Sequence, residues 1–330
     1  MSPIPGVPET VLVAPDSFKG TFTAAEVADA IGRGLRWAGR PVDVCPVADG
    51  GEGTLAALAP PLGAELVGAP AHDPLGRPIE AVFALAGELG IVETAAASGL
   101  GLVPRRSRDP IAASTAGTGE LIAAALSAGA RTVYLGVGGS ATTDGGAGAI
   151  AALERAGGLR GARLVVLCDV RTPFEHAARV FAPQKGASPE QVRKLSARLH
   201  ALARRLPVDP RGVDMTGAAG GLSGGLWAAF GAELVAGAPF ILDAVGFDAR
   251  MRAARAVVTG EGCLDMQSLA GKVVSEVATR ARQSGVPCHA IVGRRRLDAM
   301  GARVLDLDRV IEARTLDELA AAGHALAAVL

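Results

Sequence analysis

Residues 10–48 read TVLVAPDSFKGTFTAAEVADAIGRGLRWAGRPVDVCPVA, and the fold class follows from them. The apolar run TVLVA (10–14), closed by Pro15, has the length and branching of a buried strand. Thr23 and Glu26 then make a T-x-x-E capping box opening an amphipathic run to about Trp37. PVDVCPVA (41–48) predicts a second strand. Strand, helix, strand implies parallel pairing, because parallel neighbours need a long crossover connection.

The same order returns at the other end of the chain. ARAVVTG, a helix from about 271, PCHAIVG, a short strand near 309–313 and a last helix boxed by Thr315 and Glu318 read as plain α/β. The middle differs. Residues 64–93 hold several short alternating runs, among them AHDPLGRPIEAVFAL, which predict an antiparallel or mixed piece. Strand–helix order resumes with a helix near 118–128, a strand over 132–136, a helix from about 144 and the strand RLVVLC (163–168). Ser188-Pro189-Glu190-Gln191 predicts a helix start with a serine cap and proline at its first position. The expected architecture is α/β: two domains around a cleft. One is discontinuous and Rossmann-like with a parallel sheet (1–62 plus 240–330), the other an inserted mixed-sheet domain (63–239).

Composition excludes several classes. Lysine plus arginine equals aspartate plus glutamate at 33 each, and aromatics are 3% of 330 residues, so neither a basic field nor a stacking surface favours nucleic acid. No run reaches the roughly 18 uncharged apolar residues of a membrane span. MSPIPGVPET lacks the basic start and apolar core of a signal peptide. Cys45, Cys168, Cys263 and Cys288 form no CxxC pair, which suits free thiols in a reducing cytoplasm. A cytoplasmic monomer or homodimer with small-molecule ligands is expected.

The most glycine-rich motif is GVGGSATTDGG (136–146), directly after the apolar run TVYL. Gly136, Gly138 and Ala141 fit the dinucleotide pattern G-x-G-x-x-A, but the next acid at a strand end is Asp169, more than 30 positions on rather than about 20. No P-loop exists either: Lys272 follows Gly271, yet Met266 stands where the first glycine is required and Val273 where serine or threonine is required. Two readings remain: an amide nest for phosphate, with Asp144 near a cation, or a tight turn with Asp144 capping the next helix.

Other polar turns follow apolar strands, where open α/β sheets place ligands. They are PDSFKG (15–20), ADGGEGT (48–54), CDV (168–170), PQKG (183–186), TGAAGGLSGG (216–225) and TGEGCLDMQSLAGK (259–272). Lysines, acids and amide-rich turns together are what phosphoryl transfer requires. The five histidines (72, 176, 200, 289, 324) fall in no Ser-His or metal spacing, though His176 sits in the loop after CDV.

Read in order, APDSFKG, ADGGEGT, ETAAASGLGLVP, GVGGSATTDGG, CDV, FAPQKGASPEQV, GAAGGL, LDAVGFD and TGEGCLDMQSLAGK resemble the bacterial glycerate kinase family from about residue 10 to about 293. The resemblance implies two α/β domains and phosphorylation of D-glycerate by ATP with Mg2+, many members making 2-phosphoglycerate. It implies Lys19, Asp169 and Asp265 as catalytic residues, Lys19 meeting a phosphate or carboxylate and either aspartate orienting the hydroxyl. Asp16, Ser17, Asp49, Glu52 and Lys272 would bind substrate. Gly138, Gly139, Ser140, Thr142, Asp144 and Lys185 would bind phosphate or nucleotide, and Asp169 and Glu261 the metal.

The chain departs from the family pattern in several loops. ERAGGLRGARLVVL is a short link to CDV; RTPFEHAARVF is short and glycine-free, with Thr172 beside Pro173; Cys263 follows TGEG where arginine is common. AIVGRRRLDAM replaces a strand followed by a G-S-like turn, and Arg294, Arg295 and Arg296 read either as a solvated helix start or as anion ligands. A kinase for another hydroxy acid and a non-catalytic binder of nucleotide or organic acid are the competing readings.

Overall fold

The computed structural model describes residues 9–270 and 272–330; residues 1–8, most of the stretch MSPIPGVPET, and Gly271 lie outside the described residues. Two compact units result, one from Met1–Asp49 with Ala238–Leu330, the other from Gly50–Gly237.

The first unit opens with β1 (Val11–Pro15), α1 (Ala24–Trp37) and β2 (Val42–Val44). All five residues of β1 are buried, as a strand covered on both faces must be, which is why its sequence is a continuous apolar run. The capping box is complete: Glu26 N–H donates to Thr23 Oγ1 (3.2 Å) and Thr23 N–H to the Glu26 carboxylate (2.8 Å). The second strand is shorter than PVDVCPVA predicts. Cys45 and Val47 still donate to the Val13 and Pro15 carbonyls of β1, and Pro46 between them, which has no N–H, sits at the free edge of the sheet where no donor is needed.

The second unit runs α2 (Thr54–Leu58), β3 (Glu65–His72), β4 (Pro78–Ala86), β5 (Leu89–Glu93), α3 (Thr94–Ser98), α4 (Ala116–Ser127), β6 (Thr132–Gly136), α5 (Ala147–Arg155), β7 (Arg163–Cys168), α6 (Ala177–Phe181), α7 (Pro189–Ala203), α8 (Ala218–Phe230) and β8 (Glu233–Ala236). Its sheet is mixed, in order β3-β4-β5-β6-β7-β8. β3 pairs antiparallel with β4 and β4 with β5, while β5 to β8 are parallel. The unit begins at Gly50 because its carbonyl accepts from Val137, and Glu93 at the end of β5 accepts from the amides of Gly53 and Leu55. The predicted box at Ser188 and Gln191 is formed in full. TGAAGGLSGG is not a turn alone. Ala219, Gly220 and Gly221 leave helical geometry, and from there the segment continues as α8.

The chain returns through α9 (Gly237–Ala244), α10 (Phe247–Arg252), β9 (Ala256–Gly260), α11 (Val273–Gln283), β10 (Cys288–Val292), α12 (Ala299–Val304), β11 (Arg309–Glu312) and α13 (Leu316–Leu326). The first unit's sheet has order β11-β10-β9-β1-β2, and every pair in it is parallel. Its topology reverses between β1 and β9, the position where doubly wound sheets open a crevice at their carboxyl ends. Thr315 accepts from Glu318 N–H, but the Glu318 carboxylate takes the amide of Arg314 rather than of Thr315, so this last box is half made. Helices α1 and α13 touch backbone to backbone: a Cβ on Gly34 would lie 1.8 Å from the Ala320 carbonyl oxygen, and one on Gly323 2.4 Å from that of Ile31.

Candidate active site

A cavity of about 550 Å³ in the first unit is built on that switch point. Asp16, Ser17 and Lys19 reach it from the loop after β1, Asp49 from beyond β2, and Glu261 and Asp265 from the loop after β9. Lys272 enters from the cap of α11, Arg294 and Arg296 from beyond β10, and Arg314 from beyond β11. Every strand of the parallel sheet thus delivers a charged side chain at its carboxyl end. Glycine makes the loops fit: a Cβ on Gly260 would stand 2.2 Å from the Ile291 carbonyl, and one on Gly293 2.6 Å from that of Gly262.

The floor is acidic and nearly dry. Asp49 is 1% exposed and Asp16 5%. Lys19 Nζ lies 2.6 Å from Asp49 Oδ2 while half of its side chain remains in solvent. Burial, with the charge of Asp49 added, pushes the Asp16 carboxyl up to about 8 against the opposing pull of Lys19 and the Ser17 amide. Burial likewise lifts Glu261 to about 7, opposed by the Ser268 hydroxyl and Lys272 and reinforced by Asp265. Glu261 Oε1 is buried with no hydrogen-bond partner among the described residues.

The arginine run is not a helix start. Leu264 N–H donates to the Arg294 carbonyl (2.9 Å) and Arg296 N–H to the Leu264 carbonyl (2.8 Å), which straps the segment to the loop after β9 as a one-residue parallel bridge at Arg295. The helix that follows starts later, at Ala299, capped by Asp298.

The remaining expected residues belong to the second unit. Asp169 follows β7 and is half-buried. Glu52 lies beside Gly139, whose φ of +70° suits glycine. Each glycine of GVGGSATTDGG faces protein: a Cβ would meet Thr54 at Gly136, the Gly51 Cα at Gly138, Leu202 and Phe174 at Gly145, and Leu222 at Gly146. Asp144 accepts from the amide (2.9 Å) and hydroxyl (2.8 Å) of Thr115 and from the amides of Gly146 and Gly148, the last within α5, so its carboxylate ties this loop to the starts of α4 and α5. Lys185 is 3% exposed and donates to Ser140 Oγ (2.9 Å) and the Thr142 carbonyl.

Burial lowers the Lys185 ammonium to about 7, with Asp144 opposing the shift. Its unfolded-state value of 10.5 lies above that, so between pH 7 and 10.5 the unfolded chain holds a proton that the folded one has released. Stability from this group therefore rises with pH across that window. In urea titrations the wild type is expected to gain stability relative to Lys185→Met from pH 7 to 10; a pH-independent difference would mean an ordinary lysine.

Two contributions escaped sequence reading. Glu93 organises the start of α2 from inside ETAAASG, where it looks like a strand-ending acid; burial lifts it to about 6. Arg314 stands one residue before the cap of α13 and carried no signal of a site.

Known proteins resemble this chain in sequence and fold. The Glycerate kinase family model matches residues 11–157 and 154–326. The chain is 38% identical over 322 residues to a glycerate kinase of Bacillus subtilis strain 168, covering 86% of this chain and 84% of the relative. It is 37% identical over 326 residues to the glycerate 2-kinase of Escherichia coli K12, covering 86% and 84%. A solved chain from Salmonella typhimurium LT2, described as a glycerate kinase 2, superposes with a TM-score of 0.80 at 34% identity, covering 98% of each.

Proposed function

The chain belongs to the glycerate kinase family and is a kinase, and from that premise we propose that it transfers the terminal phosphoryl group of ATP to D-glycerate, giving 2-phosphoglycerate. The observation carrying this reading is the meeting of Lys19, Asp49, Asp16, Glu261 and Asp265 at the switch point of a parallel sheet. Phosphoryl transfer needs little covalent help from a protein; it needs charge neutralised and the attacking oxygen placed. Lys19 supplies a cation that Asp49 holds in position, 2.6 Å away. Asp265 orients the glycerate hydroxyl, and Lys272 meets a carboxylate or phosphate oxygen at the start of α11.

Mg2+ fits the acidic floor. Glu261 offers a buried oxygen without a partner, and Asp16 beside it is a second hard oxygen donor whose charged form is disfavoured until a cation compensates it. Magnesium commonly uses one or two carboxylates plus phosphate oxygens, and these two acids supply that number. Bound there, the ion would neutralise charge on the phosphate chain. The loop of 136–146 with Lys185 and Asp144 we assign to positioning, since its glycines and carboxylate are engaged with protein. Four free cysteines, three of them buried, support a reducing cytoplasm, and no described helix is long and apolar enough to cross a membrane.

The test is ADP release from ATP and Mg2+ on adding D-glycerate, with the product read by phosphorus NMR. Glycerate-dependent turnover with the 2-phospho signal is expected. A folded, ATP-binding protein that releases no ADP with glycerate would overturn the reading, and a 3-phospho product would correct its regiochemistry.

A further inference from the structure

We propose that Arg294 and Arg296, with Arg314 beside them, make the first unit's cavity the seat of a linear triphosphate, the phosphate chain of the donor nucleotide. The inference rests on the kinase reading and deepens it by assigning the residues that grip the phosphate chain there. An extended segment places alternate side chains on one side. The strap at Leu264 fixes residues 294–296 in that form, and Arg294 and Arg296 line the cavity while Arg295 turns away to donate to the Leu297 carbonyl. Neither Arg294 nor Arg296 has a side-chain hydrogen bond or ion pair among the described residues, so both guanidinium groups stand ready beside the cavity.

Charge matching selects the ligand. Glycerate carries a single carboxylate, which one cation satisfies. Arg294 and Arg296, joined in the cavity lining by Arg314, which also pairs with Glu312 at 3.3 Å, exceed that need, whereas a triphosphate presents several oxygens to the bidentate fork of guanidinium. The buried acids that line the same cavity, Glu261 among them, would repel such a chain unless a divalent cation came with it, and the nucleotide brings one. Arginines and buried carboxylates lining one cavity are thus the combination a metal–triphosphate requires.

Calorimetric binding of MgATP, magnesium tripolyphosphate and D-glycerate to the full chain tests the proposal. The Arg294→Ser/Arg296→Ser protein is expected to bind both triphosphates at least about 30-fold more weakly and glycerate within about 3-fold of wild type, two charged hydrogen-bonding partners having been removed. Arg295→Ser, facing the other way, should leave all three within about 3-fold, and Arg294→Lys/Arg296→Lys should recover part of the loss. Thermal unfolding checks that each variant is folded. Weakened glycerate with unchanged triphosphate would overturn the proposal in favour of a carboxylate clamp. Unchanged affinities throughout would make the run a solvated loop, and loss of MgATP binding without loss of tripolyphosphate would show that the arginines do not read the phosphates. MgATP binding that depends on the two arginines, without turnover of glycerate, would sink the glycerate reading alone; normal turnover with an unaltered KM for ATP in the double serine variant would sink this inference alone.

Discussion

Lys19→Ala lowers kcat by at least about 100-fold in a protein that remains folded: this is the expected result, to be read by ADP release at saturating ATP and glycerate, with a thermal melt alongside. The ammonium reaches the buried acid floor directly, 2.6 Å from Asp49 Oδ2. Its removal has two effects. Charge developing on the transferred group loses a preplaced counter-charge, a loss that typically costs two to three orders of magnitude. The lowering influence of Lys19 on Asp16 also disappears, so that Asp16 holds its proton more tightly and serves less well as an oxygen ligand. About half of the Lys19 side chain is exposed, so solvent screens the pair at that end, while Asp49 stays buried; the melt reads the stability cost separately from the rate. Lys19→Arg keeps the charge in a different shape and should recover only part of the rate. Near-normal kcat in the alanine variant would remove Lys19 from the chemistry.

The largest stability effect is expected at a residue with no chemistry. Gly34→Ala should lower the free energy of unfolding by about 3 kcal/mol or more in urea titrations. Alanine is the better helix former by about 1 kcal/mol, so propensity alone predicts the opposite sign. Packing decides: the added carbon would sit 1.8 Å from the Ala320 carbonyl oxygen and 2.9 Å from the His324 amide nitrogen, both backbone atoms that cannot rotate away. Helix α13 would have to lift, exposing Leu319 and Leu326, which are 0% and 1% exposed. Gly32 lies on the same helix, and its nearest neighbours are side-chain atoms at 3.4 Å, ordinary contact. Gly32→Ala should therefore change stability by less than about 1 kcal/mol. Equal effects at the two positions would refute the backbone-contact argument.

The α/β class could be read from the sequence because its strongest signals are local. A strand buried on both faces must be apolar throughout, as β1 is, and a helix start needs a capping side chain, as at Thr23 and Ser188. Where a tertiary contact competes, the same signals mislead. Glu318 has the right spacing for Thr315 but is drawn one residue further, to the Arg314 amide. The arginine run looks like a helix start, yet the buried partner that straightens it, Leu264, is 30 residues earlier in the chain. Glycine is the least informative residue of all. It allows close approach without saying to what, and in GVGGSATTDGG the neighbours are other parts of the protein: Gly51, Thr54, Phe174 and Leu222. The acids of PDSFKG, ADGGEGT and TGEGCLD were visible as chemistry from their place after apolar strands. Their shared burial, which sets the proton affinities of Asp16 and Glu261, depends on strand order and was not.

That strand order also fixes a schedule. β1 is central, between β2 and β9, and its partner on the β9 side, met for instance by Ala14 and Thr259, lies 245 residues further along the chain. During synthesis at about 5–20 residues per second, the first strand therefore emerges on the order of 10–50 s before that neighbour exists. The segment from Gly50 to Gly237 contains all six strands of its own sheet and can close within that interval. The first strand thus spends the interval with one edge unpaired, an open template that only the end of the chain can close.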